Sequence, residues 1–330
     1  MSSPLPSPSA KDERNASGLG SEPPQPFRVI VGTRGSALAR WQAEHIASEL
    51  MRLHPGLEVV QRIIVTDGDR FQTGPVVELG GKGVWVKDIE QELLAGTIDL
   101  AVHSLKDVPV ELAPGLVLAA IPRRADARDA LVSRSGQLLS ALPPGSRVGT
   151  SSLRRVCQIR ALRSDLSVEL LRGNVDTRLR KVAEGVVDAA ILASAGLDRL
   201  GLANRITQRL SPEAMLPAIG QGALAIETRG DDSRVRRLCQ VLSQPEAEST
   251  VAAERALLAG LGAGCRAPVA GYAEVDGGIM WLRGLVGRPD ASVILKEEVR
   301  GPVIEAGALG ARLAGQLLAR GADRILAELG

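Results

Sequence analysis

The stretch that decides the fold is RVIVGT at residues 28–33, a β-branched run that ends in Gly-Thr and leads through RGS into a helical pattern. RVGT at residues 147–150 repeats this arrangement and leads through two serines into a second helical pattern. β-Branched runs favour strands, and a strand followed by a helix is the repeating unit of α/β domains. The sequence therefore predicts two related α/β lobes with largely parallel sheets.

A second pair of similar stretches supports the duplication. GTIDLAV at residues 96–102 resembles GVVDAAI at residues 185–191, and in both a glycine at a helix end precedes a strand-like run. Glycine is common just after a helix because it adopts left-handed backbone conformations without strain. We therefore expect the same elements in the same order in both lobes.

The last part of the chain has a different pattern. Residues 246–261 are rich in Ala, Leu and Glu and predict a helix. Strand-like runs follow around residues 268–275, 279–286 and 292–299, joined by the turn-forming sequences DGG and RPD. A closing helix is predicted from Leu309 onward. We expect a small α+β domain with a three-stranded antiparallel sheet.

These patterns divide the chain into a tail and three domains. Residues 1–26 are rich in Ser and Pro and predict a disordered tail. We assign residues 27–122 and 221–240 to the first lobe, 123–220 to the second lobe, and 241–330 to the third domain. The predicted fold class is α/β, with two lobes and a small α+β domain.

Composition narrows the class of protein. The formal net charge is +2 and aromatic residues make up 2% of the chain, which disfavours a nucleic-acid partner. No apolar run is long enough to span a bilayer, and the tail lacks the hydrophobic segment of a secretory signal. Three cysteines without a pairing pattern fit a reducing compartment, so we expect a cytoplasmic protein. No Cys or His spacing indicates a metal site.

The three cysteines differ in their surroundings. Cys265 lies in GAGCRAP, a loop sequence with little side-chain bulk, and Arg266 favours the thiolate form. It is the candidate for chemistry, as a nucleophile or as the point of a covalent link. Cys157 and Cys239 lie in helical patterns among apolar residues, and we expect them to be small buried hydrophobes.

Arginines collect where strands are predicted to end. Arg154 and Arg155 lie in the first turn of the helix after Ser151 and Ser152, where cations oppose the helix dipole. Two interpretations stay open for this pair: a bound carboxylate or phosphate, or a solvated basic face.

Further cations lie at or near the ends of predicted strands. Arg34 precedes Ser36 in the turn after the first strand, Arg172 ends another strand-like run, and Arg178 follows on the next helix. Arginine forms bidentate pairs with carboxylates, so the pattern favours a ligand with many carboxylates in a cleft between the lobes.

Asp107 is the best candidate for a general acid or base. It lies in VHSLKDVP at residues 102–109, at the end of a predicted strand and among bases that would bind substrate anions. The alternative is a turn-forming aspartate two residues before a proline.

Seven stretches, in order along nearly all of residues 28–330, carry a family resemblance: TRGSALA (33–39), GGKG (80–83), AVHSLKDVP (101–109), GTSSLRR (149–155), LRGNV (171–175), LPAIGQG (216–222) and the loop around Cys265. In these stretches the chain resembles the porphobilinogen deaminases, also called hydroxymethylbilane synthases. The tail at residues 1–26 lies outside the resemblance.

The resemblance implies three α/β domains, of which the first two are similar to type II periplasmic binding proteins. It also implies a transferase that condenses four molecules of porphobilinogen stepwise, with loss of ammonia, and then releases hydroxymethylbilane by hydrolysis. This reaction belongs to tetrapyrrole and haem biosynthesis. The implied cofactor is one dipyrromethane per chain, held by a thioether to Cys265. The implied small-molecule partner is porphobilinogen, and we expect a monomer.

The resemblance also implies roles for individual residues. Asp107 would be catalytic, hydrogen-bonding pyrrole nitrogens and assisting the loss of ammonia. The residues that would bind the cofactor besides Cys265 are Ser104, Lys106, Thr150, Ser151, Ser152, Arg154, Arg155, Arg172 and Gly173. The residues that would bind substrate are Arg34, Ser36, Lys82, Trp85, Arg178 and Arg199. Trp85 stands where the family usually has phenylalanine.

Two other classes of protein fit part of the pattern. A solute-binding protein for a polycarboxylate anion would also have two α/β lobes, but the missing signal sequence and the Cys265 domain count against it. An effector-binding domain of a regulator is a further alternative, although no helix-turn-helix pattern precedes the lobes.

Overall fold

The computed structural model describes Met1 and residues 27–66, 86–264 and 267–328. Apart from Met1, the predicted tail lies outside these residues. No helix in the described part of the chain is both long enough and apolar enough to cross a membrane.

Strands and helices are interspersed through the first two thirds of the described chain. The strands are β1 (Phe27–Arg34), β2 (Leu57–Ile64), β3 (Leu100–Ser104), β4 (Leu116–Ala120), β5 (Asp129–Ser133), β6 (Arg147–Thr150), β7 (Ser167–Leu170), β8 (Ala189–Ala193), β9 (Gln208–Leu210), β10 (Leu224–Arg229), β11 (Val269–Asp276), β12 (Ile279–Gly287) and β13 (Ile294–Pro302). The α-helices are α1 (Ala37–Leu53), α2 (Lys87–Leu94), α3 (Leu153–Leu162), α4 (Val175–Ala183), α5 (Ser194–Arg199), α6 (Ser233–Gln240), α7 (Pro245–Gly260), α8 (Ala306–Ala319) and α9 (Ala322–Ala327).

Two five-stranded sheets have the same topology. The first has the order β2-β1-β3-β10-β4 and the second the order β7-β6-β8-β5-β9. We call the first sheet with its helices lobe 1 and the second lobe 2. The expectation of two related α/β lobes is confirmed, while the domain boundaries given above stay predictions.

The sheets are mixed, so the prediction of largely parallel sheets holds for the direction of four of the five strands in each sheet but not for their pairing. β1 runs parallel to β2 and β3, and β6 runs parallel to β7 and β8. The fourth strand of each sheet, β10 or β5, is antiparallel to both of its neighbours. Each of these strands follows a segment that comes from the other lobe, residues 121–128 or 211–223. The chain therefore enters the sheet at the cleft and runs away from it.

The local sequence explains the start of the first helix and the burial of its sheet. Ser36 is the N-cap of α1, and its Oγ accepts a hydrogen bond from the Ala39 amide. One face of the sheet packs against α1 through residues such as Ile46 and Val102, and the other packs against α2 through residues such as Ile89. Because helices cover both faces, the strands are nearly continuous apolar runs.

The third domain is the expected three-stranded antiparallel sheet, with the order β11-β12-β13. Helices α7 and α8 cover one face, where Leu257, Leu282 and Leu313 form the centre of its core. The closing helix, predicted as one, is two helices. Gly321, with a φ of 94°, takes a left-handed conformation between α8 and α9, and this ends the helical hydrogen bonding.

A buried carboxylate on α7 joins the third domain to both connections between the lobes. Glu254, which is 0% exposed, pairs with Arg124 through Nη1–Oε1 (2.6 Å) and Nη2–Oε2 (3.1 Å) distances. It also accepts hydrogen bonds from the amides of Gly220 (2.7 Å) and Ala273 (2.9 Å). Arg124 and Gly220 belong to the two connecting segments, so one side chain fixes three parts of the molecule together.

Candidate functional site

The carboxylate singled out in the sequence lies on a tight turn at the end of β3. Leu105–Asp107 forms a 3-10 turn, closed by the Val108 amide bonding to the Leu105 carbonyl at 3.0 Å. Leu105 is buried and anchors the turn, while Lys106 and Asp107 are half-buried. The turn therefore presents one cation and one carboxylate toward lobe 2.

Lys106 has an unusual environment for a lysine. Its Nζ lies 3.4 Å from Oε1 of Gln221. Burial, followed by the positive charge of Arg155, lowers the pKa of Lys106 to about 8, although the charges of Asp107 and Asp129 act in the opposite direction. The ammonium is thus held in a poorly solvated seam, where a bound carboxylate would stabilise it.

Arg178 on α4 faces the turn from lobe 2. Its Nε donates to the Gly173 carbonyl at 2.7 Å, and its Nη2 lies 3.4 Å from Oγ of Ser151. Burial, followed by the charge of Arg155, lowers the pKa of Arg178 to about 10, and the charge of Asp107 opposes this shift. The structure therefore brings Asp107, Lys106 and Arg178 together across the cleft.

Arg154 and Arg155 share an internal carboxylate, Asp129, that was not predicted from the sequence. Nη1 of Arg154 lies 2.8 Å from Oδ2 of Asp129, and Nη2 of Arg155 lies 2.7 Å from Oδ1. The two arginines are 3% and 5% exposed, so a solvated basic face is excluded. Burial alone would raise the pKa of Asp129, but both guanidinium charges hold that pKa well below its usual range. The sequence feature that could have identified Asp129 is its position as a charged residue at the start of the apolar strand β5.

Gln221 connects this buried group to Lys106. Its Nε2 donates to the Ala127 carbonyl at 2.7 Å and to Oδ1 of Asp129 at 2.9 Å, while its Oε1 lies near both Lys106 and Arg155. Gln221 was not predicted from the sequence as a functional residue. It stands in the second connecting segment, so one amide joins lobe 2, the connection and the Asp107 turn.

A small cavity of about 30 Å³ lies between the lobes beside the turn. Ser104, Lys106 and Arg199 are among the residues that line it. Nη2 of Arg199 donates to the Gly222 carbonyl at 2.8 Å, and burial lowers the pKa of Arg199 to about 10. Oγ of Ser104 accepts a hydrogen bond from Nε2 of Gln42 at 2.9 Å. Three of the predicted binding residues therefore converge here.

The other predicted site residues have simpler surroundings. Arg34 ends β1 and Arg172 follows β7, and both are half-buried. Thr150 is buried, and its Oγ1 accepts from the Ser152 amide at 3.2 Å. Ser36 caps α1, as described above. Lys82, Trp85 and Cys265 lie outside the described residues.

The remaining cysteines lie in the core, as expected. Cys157 and Cys239 are free and buried, and burial raises the pKa of their thiols to about 11 and about 12. A thiol that stays protonated is a poor nucleophile.

The arrangement suits an anionic ligand that needs proton transfer. Lys106, Arg178 and Arg199 supply positive charge, and Asp107 is placed to exchange a proton. Arg154 Nε is buried and has no hydrogen-bond partner among the described residues. A group with several carboxylates fits this set of donors. Among the residues that the structure describes, no cluster of His, Cys, Asp and Glu has the form of a metal site.

A larger cavity, of about 320 Å³, lies between lobe 2 and the third domain. Its lining includes Leu216, Trp281 and Lys296, and none of the described residues predicted for the site lines it. Its size alone does not make it the site, because the residues predicted for the site converge at the smaller cavity.

Comparisons with known proteins agree along almost the whole chain. The family model described as porphobilinogen deaminase, dipyromethane cofactor binding domain, matches residues 29–237, and the model of the C-terminal domain matches residues 249–319. The curated porphobilinogen deaminase of Syntrophotalea carbinolica is 50% identical over 299 residues, which cover 91% of this chain and 95% of that protein.

Solved structures show weaker similarity. A TRAP periplasmic solute-binding protein from Desulfovibrio salexigens is 12% identical and covers 68% of this chain and 74% of its own, with a TM-score of 0.41. The effector-binding domain of BenM, solved with its effector benzoate, is 14% identical and covers 64% of this chain and 87% of its own, with a TM-score of 0.39. Similarities this low do not support any inference about function.

Proposed function

Because the chain belongs to the porphobilinogen deaminase family, we propose that Asp107 and the cations around it form its catalytic cleft. The chain is a transferase of tetrapyrrole and haem biosynthesis, a hydroxymethylbilane synthase with a dipyrromethane cofactor. It condenses four molecules of porphobilinogen stepwise, with loss of ammonia, and releases hydroxymethylbilane by hydrolysis. The two family models and the curated relative confirm the expected family. They give no support to the alternative of a solute-binding protein.

One observation carries the assignment of the cleft. The charge of Asp107 acts on Lys106 in the same turn and on Arg178 in the opposite lobe, so a carboxylate from lobe 1 meets cations from both sides. A ligand between the lobes would contact all three residues. No other described part of the cleft between the lobes combines a half-buried carboxylate with this number of predicted binding residues.

The donors on both sides fit the carboxylates of the cofactor. Dipyrromethane, when bound, would supply the pyrrole carbon to which the first porphobilinogen unit is joined. Residues that would hold its acetate and propionate groups are Ser104, Lys106, Thr150, Ser151, Ser152, Arg154, Arg155, Arg172 and Gly173. Cys265 would be its covalent attachment point. The loop that contains Cys265 lies between α7, which carries Glu254, and β11.

Asp107 would perform the proton transfers. Its carboxyl oxygen would donate a proton to the amine that leaves as ammonia, and its carboxylate would then stabilise positive charge on the pyrrole. The same oxygen would later accept the proton that the pyrrole carbon loses when the new bond has formed.

Another set of residues would bind the carboxylates of incoming porphobilinogen, and one of them would pack against its ring. These residues are Arg34, Ser36, Lys82, Trp85, Arg178 and Arg199. Arg178 and Arg199 are poorly solvated, so pairing with a carboxylate costs them little further desolvation. We further infer that the chain works as a monomer in the cytoplasm, and light scattering of the loaded protein tests the monomer.

Intact-protein mass spectrometry tests the covalent cofactor. Protein from cells that make porphobilinogen should carry an adduct of two porphobilinogen-derived units, and peptide mapping should place it on Cys265. Cys265→Ser should lose both the adduct and activity. Cys239→Ala is the matched control and should keep both, because that thiol is buried in lobe 1. An unmodified active protein would contradict the proposal.

A further inference from the structure

A buried pair of titratable side chains lies directly behind the Asp107 turn and has no part in the function proposed above. His103 is on β3, four residues before Asp107, and Glu227 is on the neighbouring strand β10. Nε2 of His103 lies 3.0 Å from Oε2 of Glu227. His103 is 6% exposed and Glu227 is 0% exposed. Both groups are therefore withdrawn from solvent and out of reach of a ligand in the cleft.

The register of the two strands explains the contact. His103 is opposite Ala225, and Glu227 is opposite Ala101. The two side chains are thus diagonal neighbours on one face of the sheet. Helix α2 covers this face, because Ala101 and Ile89 belong to one apolar cluster. The pair consequently holds β3 to β10 just before both strands reach the cleft.

Glu90 on α2 is the third titratable group of this region. Burial raises its pKa, the charge of Glu227 raises it further, and a hydrogen bond from the Ala113 amide and the charge of His103 act in the opposite direction. Oε1 of Glu227 has no hydrogen-bond partner among the described residues. A buried carboxylate with one oxygen unpaired is a poor way to stabilise a sheet.

Stability therefore does not account for the pair. Replacing both partners of a buried hydrogen bond by apolar residues of similar shape is often neutral or stabilising, so an apolar pair would serve the fold as well. The position of the pair offers a different reason. The Leu105 amide bonds to the Ala223 carbonyl at 3.1 Å, which extends the contact between these two chain segments up to the turn. Whatever fixes β3 against β10 also fixes where the turn begins.

We propose that His103 and Glu227 are positioning residues for Asp107. The hydrogen bond between them sets the end of β3 and thereby the direction of the Asp107 carboxylate, while neither side chain touches substrate. This inference rests on the role proposed for Asp107. A purely structural pair would change the free energy of unfolding and leave the turnover of folded molecules alone.

Steady-state kinetics of the cofactor-loaded full chain test the inference. Glu227→Gln and His103→Gln should each lower kcat for porphobilinogen by about tenfold, since small misplacements of a catalytic group are costly, and leave KM within about twofold. The double variant should be about as slow as either single variant, because all three weaken the same contact. Should Glu227→Gln not fold, His103→Gln carries the same comparison of kcat with KM.

Glu90→Gln is the matched control, because it changes a carboxyl that faces the same pair from another element. It should keep kcat within about twofold of the parent. A parent-like kcat in Glu227→Gln and His103→Gln, additive losses in the double variant, or an equal loss in Glu90→Gln would each overturn the inference.

Failure of the proposed function gives a different result. If Asp107→Ala turns over normally, the role of Asp107 falls, whatever Glu227→Gln does. If Asp107→Ala is slow and Glu227→Gln has parent kcat, only the positioning role falls. In an Asp107→Ala background, Glu227→Gln should have no further effect on the residual rate.

Discussion

Asp107 and Lys106 are adjacent in the sequence, yet they are expected to respond differently to substitution. Asp107 is the one carboxylate of the turn, with cations on both sides of it. Lys106 is a cation near other cations. The charges of Asp107 and Asp129 favour its protonated form, and a bound anion would do the same. Substitution of Asp107 should slow a chemical step, whereas substitution of Lys106 should weaken the binding of carboxylates.

Asp107→Ala should bind porphobilinogen almost as the parent does but turn it over about 10²- to 10⁴-fold more slowly, the usual range for loss of a general acid or base. Single-turnover kinetics and a binding titration separate the two effects. Asp276→Ala, at the exposed end of β11, is the control and should match the parent. Near-normal turnover of Asp107→Ala would remove the residue from this role.

The lowered pKa of Lys106 predicts a pH dependence. An ordinary lysine keeps its charge beyond pH 10, but Lys106 in the free protein should lose its proton as the pH rises through about 8. The rate at which the cofactor-free protein is loaded with porphobilinogen-derived units, followed by intact-protein mass spectrometry, should therefore fall above that pH, because Lys106 is one of the proposed cofactor-binding residues. Lys106→Arg stays charged and should abolish the fall between pH 7 and 9.5. A fall that persists in Lys106→Arg would assign the dependence to another group.

At the scale of elements, the sequence predicted the positions of strands and helices, which depend on local pattern. It did not predict strand directions and contacts that depend on residues far apart in the chain. The strands of the third domain and α7 were located to within a few residues, because alternation and turn residues are local signals. The directions of β5 and β10 were not predicted, because they follow from where the chain re-enters each sheet. Asp129 was missed for the same reason: Gln221, one of its partners, is 92 residues away.

The connecting segments cross closely enough to require a glycine. Gly222 has a φ of 87°, and a Cβ there would lie 2.5 Å from the Ala125 carbonyl oxygen of the other segment. Gly201 has a φ of 70°, but a Cβ there would meet open space. An alanine at either position would have to adopt a left-handed backbone conformation. Only at position 222 would its Cβ also clash with the neighbouring segment.

Gly201→Ala should therefore cost about 1–2 kcal/mol of unfolding free energy, the cost of a left-handed alanine. Gly222→Ala should cost at least about 2 kcal/mol more, because the backbone of one segment has to shift. Urea unfolding of both variants measures the difference. Equal losses would show that the segments tolerate separation.

At the scale of the whole molecule, the three domains are joined by buried polar groups as well as by apolar packing. Glu254 ties the third domain to both connections, and Gln221 continues the contact to Lys106 and Asp129. The proposed attachment point of the cofactor thus follows a helix that is fixed against the cleft. The sequence indicated the cleft through its arginines and aspartate, but it held no sign of Glu254.

Glu254→Gln should lower the free energy of unfolding by about 3–5 kcal/mol, because it leaves Arg124 without its buried partner. Glu246→Gln, an exposed substitution on the same helix, should change it by no more than about 0.5 kcal/mol. Urea unfolding followed by circular dichroism checks both values. A Glu254→Gln variant as stable as Glu246→Gln would show that apolar packing alone holds the domains together.

The interleaved strands also set an order of events on the ribosome. All five strands of lobe 2 lie within residues 129–210, whereas lobe 1 needs β10, at Leu224–Arg229, between β3 and β4. Domains generally fold as units while the chain is being made, and usually the first one made folds first. Here the lobe that is begun first is the one that has to wait. A nascent chain that stops before residue 224 can complete its second sheet and leaves β4 without a neighbour.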